Sequence, residues 1–271
     1  MRLRDKFWLW GHPEGRYNGK FGNTQISRMT PMEGCLYLGV RNTFMIPDKW
    51  EVNRRQYNKS FKTLDGVAWE CYDALKDPSI VEPLICEAAD FPNINGVVFD
   101  DFQRGGAEEY QKFPAENLWK VRERLHNNDV RSLAMWMVLY THEFDLDPND
   151  PVCDPYDEEA FKPYAEPFDG IIMWNWWEKN YRQIPDKFEA FKKLTVGKRR
   201  MCGCYLWNFG EEKPATAEAV KQQLDWYREW MMSGELEGVV LHTNTMADLD
   251  LEAYDAAVAW MQEHGDELLP E

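Results

Sequence analysis

The chain has 271 residues, 44% hydrophobic and 29% charged, enough for one large domain or two small ones and for a substantial core. Its formal charge of −16 argues against a nucleic-acid backbone or an anionic membrane as partner, because there is no basic surplus to displace counterions. No stretch approaches the roughly 18 apolar residues of a membrane span. The apolar part of the opening MRLRDKFWLWGHPEG is too short for a signal-peptide core, so the expected location is cytoplasmic.

Apolar runs alternate with amphipathic stretches along the chain. KFWLWGH (6–12) reads as a first strand ending at Trp10 and His12, and residues 13–33, rich in Gly and Asn, read as a long loop. GCLYLGV (34–40) reads as a second strand that delivers Arg41 and Asn42. LDGVAWECYD supplies the third, with Trp69 and Glu70. A helix is predicted over 79–91, where Ile80, Val81, Leu84, Ile85, Ala88 and Ala89 form one stripe behind Asp77 and Pro78. NINGVVFDDF is the fourth strand, ending in Asp100 and Asp101 before a turn at Gly105 and Gly106. A helix over 114–126 carries Leu118, Val121 and Leu125, and VRSLAMWMVLY (130–140) is the fifth strand, followed by His142 and Glu143. An acidic loop over 143–159 lacks the Gly and terminal Glu of an EF-hand loop.

FDGIIMWNWW is the sixth strand, with Trp174, Asn175, Trp176, Trp177 and Glu178 at its end. Helix 185–194 leads to a seventh in RMCGCYLWNFG (200–210), bringing Trp207, Asn208, Glu211 and Glu212. Helix 215–232, closed by Gly234, precedes the eighth, LEGVVLHTNT, with His242, Thr243 and Asn244, and helix 250–264 ends the series. The six cysteines form no CxxC pair, and buried reduced thiols are the default reading.

Four of the runs share a pattern: an acidic or amide residue, Gly, an apolar run, then a polar or aromatic end. The glycines are Gly66, Gly96, Gly170 and Gly238, and the longer gaps are about twice a common unit, with the other apolar runs at the midpoints. Eight strands alternating with helices predict a parallel sheet closed into one (β/α)8 TIM barrel, an α/β domain spanning 1–271 with loops 13–33 and 143–159 at its rim. The rival, a doubly wound open sheet, carries less weight because no glycine-rich phosphate fingerprint follows any strand.

Active sites of such barrels lie at the C-terminal ends of the strands. Four residues after each repeat Gly stand Glu70, Asp100, Trp174 and His242, which strand alternation puts on one face. If that face points inward, these four converge on the mouth; with the opposite parity, Asp101, Asn175 and Thr243 do. Carboxylates, amides, an Arg and flat indoles suit a neutral polyhydroxy ligand, so the expected partner is a carbohydrate substrate, contacted by His12, Arg41, Asn42, Trp69, Trp174, Asn175, Trp176, Trp207, Asn208, His242 and Asn244. Each residue also has an ordinary structural reading. Either Asp can be a solvated strand end, Glu70 a partner of Arg41 in the barrel frame, His242 a satisfied rim histidine, and the tryptophans fillers of helix–barrel gaps. No HxH, HExxH or GxSxG occurs, and no metal or cofactor is expected.

NGVVFDD resembles the fourth-strand Gly–apolar–apolar–x–Asp run of several retaining α-glycosidase families among the barrel glycoside hydrolases. The resemblance covers about seven residues plus the repeat architecture, and it implies Asp100 as nucleophile. The chain departs from those families at the sixth strand, where no second Asp stands, and it lacks the Asn–Glu pair of the large β-glycosidase clan. The expected activity is therefore hydrolysis of a glycosidic bond, with Asp100 or Asp101 as nucleophile or base and Glu70, or a loop Glu such as Glu178 or Glu211, as acid. Two alternatives are a sugar isomerase or lyase using a divalent metal on Glu70, Asp100 and His242, and a sugar-binding barrel without turnover.

Overall fold

A computed structural model describes residues 1–47, 50–101, 114–144 and 158–270, with side chains omitted at 158–161. Eight parallel strands close into a barrel: β1 (Phe7–Gly11), β2 (Asn42–Met45), β3 (Gly66–Glu70), β4 (Ile94–Phe99), β5 (Ala134–Tyr140), β6 (Gly170–Trp174), β7 (Arg199–Tyr205) and β8 (Gly238–His242). Each pairs with its sequence neighbours, and β8 pairs with β1. Every strand is followed by a helix: α1 (Pro31–Leu38), α2 (Arg54–Ser60), α3 (Glu82–Asp90), α4 (Ala115–His126), α5 (Glu158–Ala165), α6 (Ile184–Leu194), α7 (Ala217–Met232) and α8 (Glu252–His264). The fold is the (β/α)8 barrel that the repeat predicts. No described helix is long and apolar enough to cross a membrane.

Gly170 of the repeat, and Gly203 on β7, have a steric cause. The barrel interior holds large indoles, Trp8, Trp10, Trp136 and Trp174, packed with Phe44, Val98, Ile172 and Val240. A Cβ on Gly170 would lie 2.2 Å from the Trp136 ring, and one on Gly203 would lie 2.1 Å from that of Trp174. Glycine on a neighbouring strand is what leaves room for the ring. The inward face therefore runs through Gly170, Ile172 and Trp174 on β6 and through Gly238, Val240 and His242 on β8.

The second unit differs from expectation. Residues 34–40 do not form a strand; α1 occupies Pro31–Leu38, burying Gly34, Cys35 and Leu38 while leaving Leu36 and Tyr37 exposed. Thr30 and Glu33 form a reciprocal capping box with Pro31 at the first turn, and Gly39 ends the helix at φ 70°. β2 is displaced to Asn42–Met45, which puts Arg41 and Asn42 at the N-terminal end of the strand, opposite the mouth. Arg41 pairs with Asp65 at 2.9 Å, not with Glu70. Asn42 donates Nδ2 hydrogens to the carbonyls of Asp5 and Phe7 on the barrel floor.

Other boundaries shift less. The helix expected at 79–91 is a 3-10 turn (Pro78–Val81) followed by α3, whose second residue, Pro83, has no N–H to continue that turn. α2 and α5 form where no helix was expected. Cys35, Cys71, Cys202 and Cys204 are buried, but Cys86 is exposed on α3. Cys153, the Gly105–Gly106 turn and most of the acidic loop lie outside the described residues.

The interior packing is testable. Gly203→Ala forces a methyl into the Trp174 indole and is expected to destabilise the protein by about 1–3 kcal/mol. In urea unfolding, Gly203→Ala combined with Trp174→Leu is expected to cost clearly less than the sum of the two single changes. Additive costs would contradict the contact.

Candidate active site

A cavity of about 1390 Å3 opens at the C-terminal ends of the strands. Glu70, Asp100, Trp174 and His242, the matched inward positions of β3, β4, β6 and β8, all line it, together with Trp10 and His12 from β1. Asp101 also lines the cavity, although its sequence parity is opposite. Its backbone is left-handed (φ 49°), which breaks strand alternation at that residue. Asp101 Oδ1 accepts the Tyr140 hydroxyl at 3.1 Å, and Asp100 Oδ1 accepts the Asp101 N–H at 2.9 Å. Three carboxyl groups from adjacent strands thus face one space.

Beside them stands a buried aromatic and imidazole cluster. His12 Nδ1 lies 3.0 Å from the Ile46 carbonyl, which can only accept, so Nδ1 carries the hydrogen and Nε2 accepts the Tyr17 hydroxyl at 3.2 Å. With its proton committed there, the Tyr17 oxygen can only accept from His242 Nε2, at 3.4 Å. Burial, aided by Arg16, lowers His12 to about 3. Burial and the neighbouring His12 likewise push His242 well below the usual imidazole range. Both rings are therefore neutral at pH 7. Tyr205 closes this side of the cavity, its ring tilted against Trp174 with centroids 4.7 Å apart and its hydroxyl hydrogen-bonded with Tyr140. Burial and then the Asp100 charge raise its phenol far above the ordinary value. Trp176 and Phe209 complete the wall.

Several expected contacts serve the frame instead. Trp69 borders the cavity, but its ring packs in the outer layer against Phe61 and its Nε1–H goes to Asn58 at 3.0 Å. Asn175 accepts from Thr141 and donates to the Trp177 carbonyl. Trp207 and Asn208 lie past the end of β7, in a two-residue ribbon with Lys213–Pro214. There Trp207 Nε1 donates to the Phe21 carbonyl and Asn208 caps Glu211. Asn244 is fully buried, exchanging hydrogen bonds with the His12 backbone and donating to the Met29 carbonyl. Glu178 accepts from the N–H and hydroxyl of Thr216 at the start of α7, and Glu211 bonds Asn208 and Lys213. Neither of these two glutamates lines the cavity, and neither do Arg41, Asn42, Asn175, Trp207, Asn208 or Asn244. Among the described residues, no three His, Cys, Asp or Glu side chains gather as a metal-holding group, so Glu70, Asp100 and His242 do not assemble one.

Sequence reasoning missed Tyr17, Tyr140 and Tyr205. The last two were accessible from the alternation, since Tyr205 stands two residues after the inward Gly203 and Tyr140 continues the Ala134, Trp136, Val138 face. Tyr17 sits in the 13–33 loop, where no periodicity marks it.

No family model matches the sequence, and no curated protein matches it. Solved structures do resemble the fold. The catalytic domain of a hyperthermophilic chitinase from Pyrococcus furiosus has TM-score 0.60 at 10% identity, over 97% of each chain. A family 18 chitinase from Cycas revoluta, in complex with allosamidin, has TM-score 0.58 at 9% identity over 94% of this chain and 99% of that one. Tryptophan synthase from Mycobacterium tuberculosis also matches, with TM-score 0.51 at 9% identity over 97% of this chain and 94% of that one. At these identities the likeness is one of fold, and it spans glycoside hydrolases and an unrelated enzyme alike.

The buried imidazoles give a pH signature. The unfolded chain takes up protons near pH 6.5, whereas folded His12 does so only at about 3, so stability falls as pH falls across that window. Each such histidine contributes a slope approaching about 1.4 kcal/mol per pH unit. His12→Gln is expected to flatten the dependence of unfolding free energy between pH 6.5 and 5, above the main carboxylate range. An unchanged slope would show that His12 is not held neutral.

Proposed function

We propose that this chain is a glycoside hydrolase acting on a neutral carbohydrate. The observation that carries the reading is the convergence of Glu70, Asp100 and Asp101 on a cavity walled by Trp10, Trp174, Trp176 and Phe209. Indole faces stack on the C–H face of a sugar ring, and carboxylates accept from its hydroxyls. Glycosidic cleavage needs two carboxyl groups, one to protonate the leaving oxygen and one to attack the anomeric carbon or activate water.

In this reading Glu70 gives its proton to the leaving oxygen as the glycosidic C–O bond breaks. Asp100 attacks the anomeric carbon or takes the proton of the attacking water. Asp101, fixed by the Tyr140 hydroxyl, holds the neighbouring negative charge in place. Hydrolysis requires one of these groups to be protonated while the other is charged. The fold shared with chitinases is consistent with this reading but does not carry it. Glu178 and Glu211, the loop alternatives for the acid, are committed to helix and ribbon contacts away from the cavity.

Hydrolysis of a panel of aryl glycosides tests the assignment. Asp100→Asn and Glu70→Gln are each expected to lower kcat by about a hundredfold or more. Full activity in both Asp100→Asn and Asp101→Asn would refute it. Activity is expected to be indifferent to a chelator; loss with chelator and recovery with Mg2+ or Mn2+ would point to the isomerase or lyase chemistry. Sugar binding with no product from any glycoside would point to a binding barrel.

A further inference from the structure

The cavity is larger than one sugar ring requires. Its volume of about 1390 Å3 exceeds the roughly 300–1,000 Å3 of a pocket for one small molecule. It is also extended to one side. From the carboxylates it runs outward between the segment leading into α2, with Trp50 and Asn53, and the segment after β3, with Tyr72, Asp73 and Ile80. On the β8 and β1 side the wall is instead filled by Tyr17 and Phe21 from the 13–30 loop, with Phe209 against both rings.

The outer arm has a distinct chemistry. Trp50 is 43% exposed and Ile80 is 37% exposed, yet both line the cavity. Large apolar groups left in water beside a polar cleft mark a surface that is covered when a ligand binds. The cations along the arm are each engaged: Arg54 by Glu87, Arg55 by Asp90 and Lys76 by Asp73. A uronic or sulfated chain would compete with carboxylates already in place, whereas a neutral chain would leave these pairs intact.

We infer that the arm is a second subsite and that the substrate class is a neutral oligosaccharide, whose further units extend from the carboxylates toward α2 and α3 with one of them stacked on Trp50. The inference rests on the carbohydrate reading of the site, but concerns length and direction rather than hydrolysis.

The experiment uses the full chain with neutral gluco-, xylo-, manno- and chito-oligosaccharides of increasing length, measuring affinity by calorimetry and product by chromatography. Wild-type affinity is expected to rise with length. Trp50→Ala is expected to flatten that rise, costing about tenfold more on the longest ligand than on the matching monosaccharide glycoside, with Trp50→Phe intermediate. An unchanged melting temperature would confirm that the exposed Trp50 is not a folding residue. Length dependence removed by Trp50→Ala without any product would support the subsite and refute hydrolysis. Product formed with no length dependence, or an equal loss on short and long ligands, would refute the subsite and leave hydrolysis standing. Absence of both binding and product would refute both.

Discussion

Trp136 and Trp174 fill the space that any side chain at Gly170 and Gly203 would need. The parity of β6 and β7 follows from this steric fact. A closed eight-stranded barrel has an interior just wide enough for side chains, and the Trp136 and Trp174 indoles occupy room left by a glycine on the neighbouring strand. The glycine fixes which parity points inward, and strand alternation then carries that parity to the far end of the strand. Glu70, Asp100, Trp174 and His242 share the parity of Gly66, Gly96, Gly170 and Gly238 four residues earlier, and all four line one cavity. Packing and chemistry share one register.

The mouth is built so that its aromatic side stays uncharged while its acidic side stays wet. His12 and His242 are buried, neutral and chained through Tyr17, and Tyr205 keeps its proton beside Asp100. A charged imidazole there would pair with the carboxylates and neutralise the feature that distinguishes this site. The arm's cations are paired with carboxylates other than Glu70, Asp100 and Asp101: Arg54 with Glu87, Arg55 with Asp90 and Lys76 with Asp73. At the strand starts Arg41 pairs with Asp65, Arg122 with Asp169 and Arg199 with Glu237. Arg199 also caps the Trp136 ring from below at 4.5 Å. Ion pairs thus stand at both ends of the barrel, and Glu70, Asp100 and Asp101 gather at the mouth.

The sequence discloses the fold through the Gly repeat, and with it two alternative sets of mouth residues, because a period of two set by local sterics groups them without saying which face points inward. What it hides depends on register across the chain. The run GCLYLGV is as apolar as a strand, yet it is helix α1, and the deciding signal was the Thr30–Glu33 capping box just upstream rather than hydrophobicity. That one displacement moved Arg41 and Asn42 from the mouth to the floor. Trp207, Asn208 and Asn244 were hidden for another reason: polar strand-end residues are equally suited to tying a loop down, and only their partners tell the two uses apart. Tyr17 was beyond reach altogether, since a loop residue has no periodicity to announce where it packs.

The separation of frame and site also explains why the fold likeness cannot name the reaction. A chitinase and tryptophan synthase share this barrel with the chain at about a tenth of residues identical, because the shared part is the strand order and the packed interior, whose rules are generic. What differs between such enzymes is a few residues at strand ends and the loops beyond them. In this chain the strand ends bring Glu70, Asp100 and Asp101 to a cavity lined by Trp10, Trp174 and Trp176. Burying imidazoles neutral and gathering like charges both cost folding free energy. Strand ends and loops, not the shared packing, are where barrels of one fold come to differ.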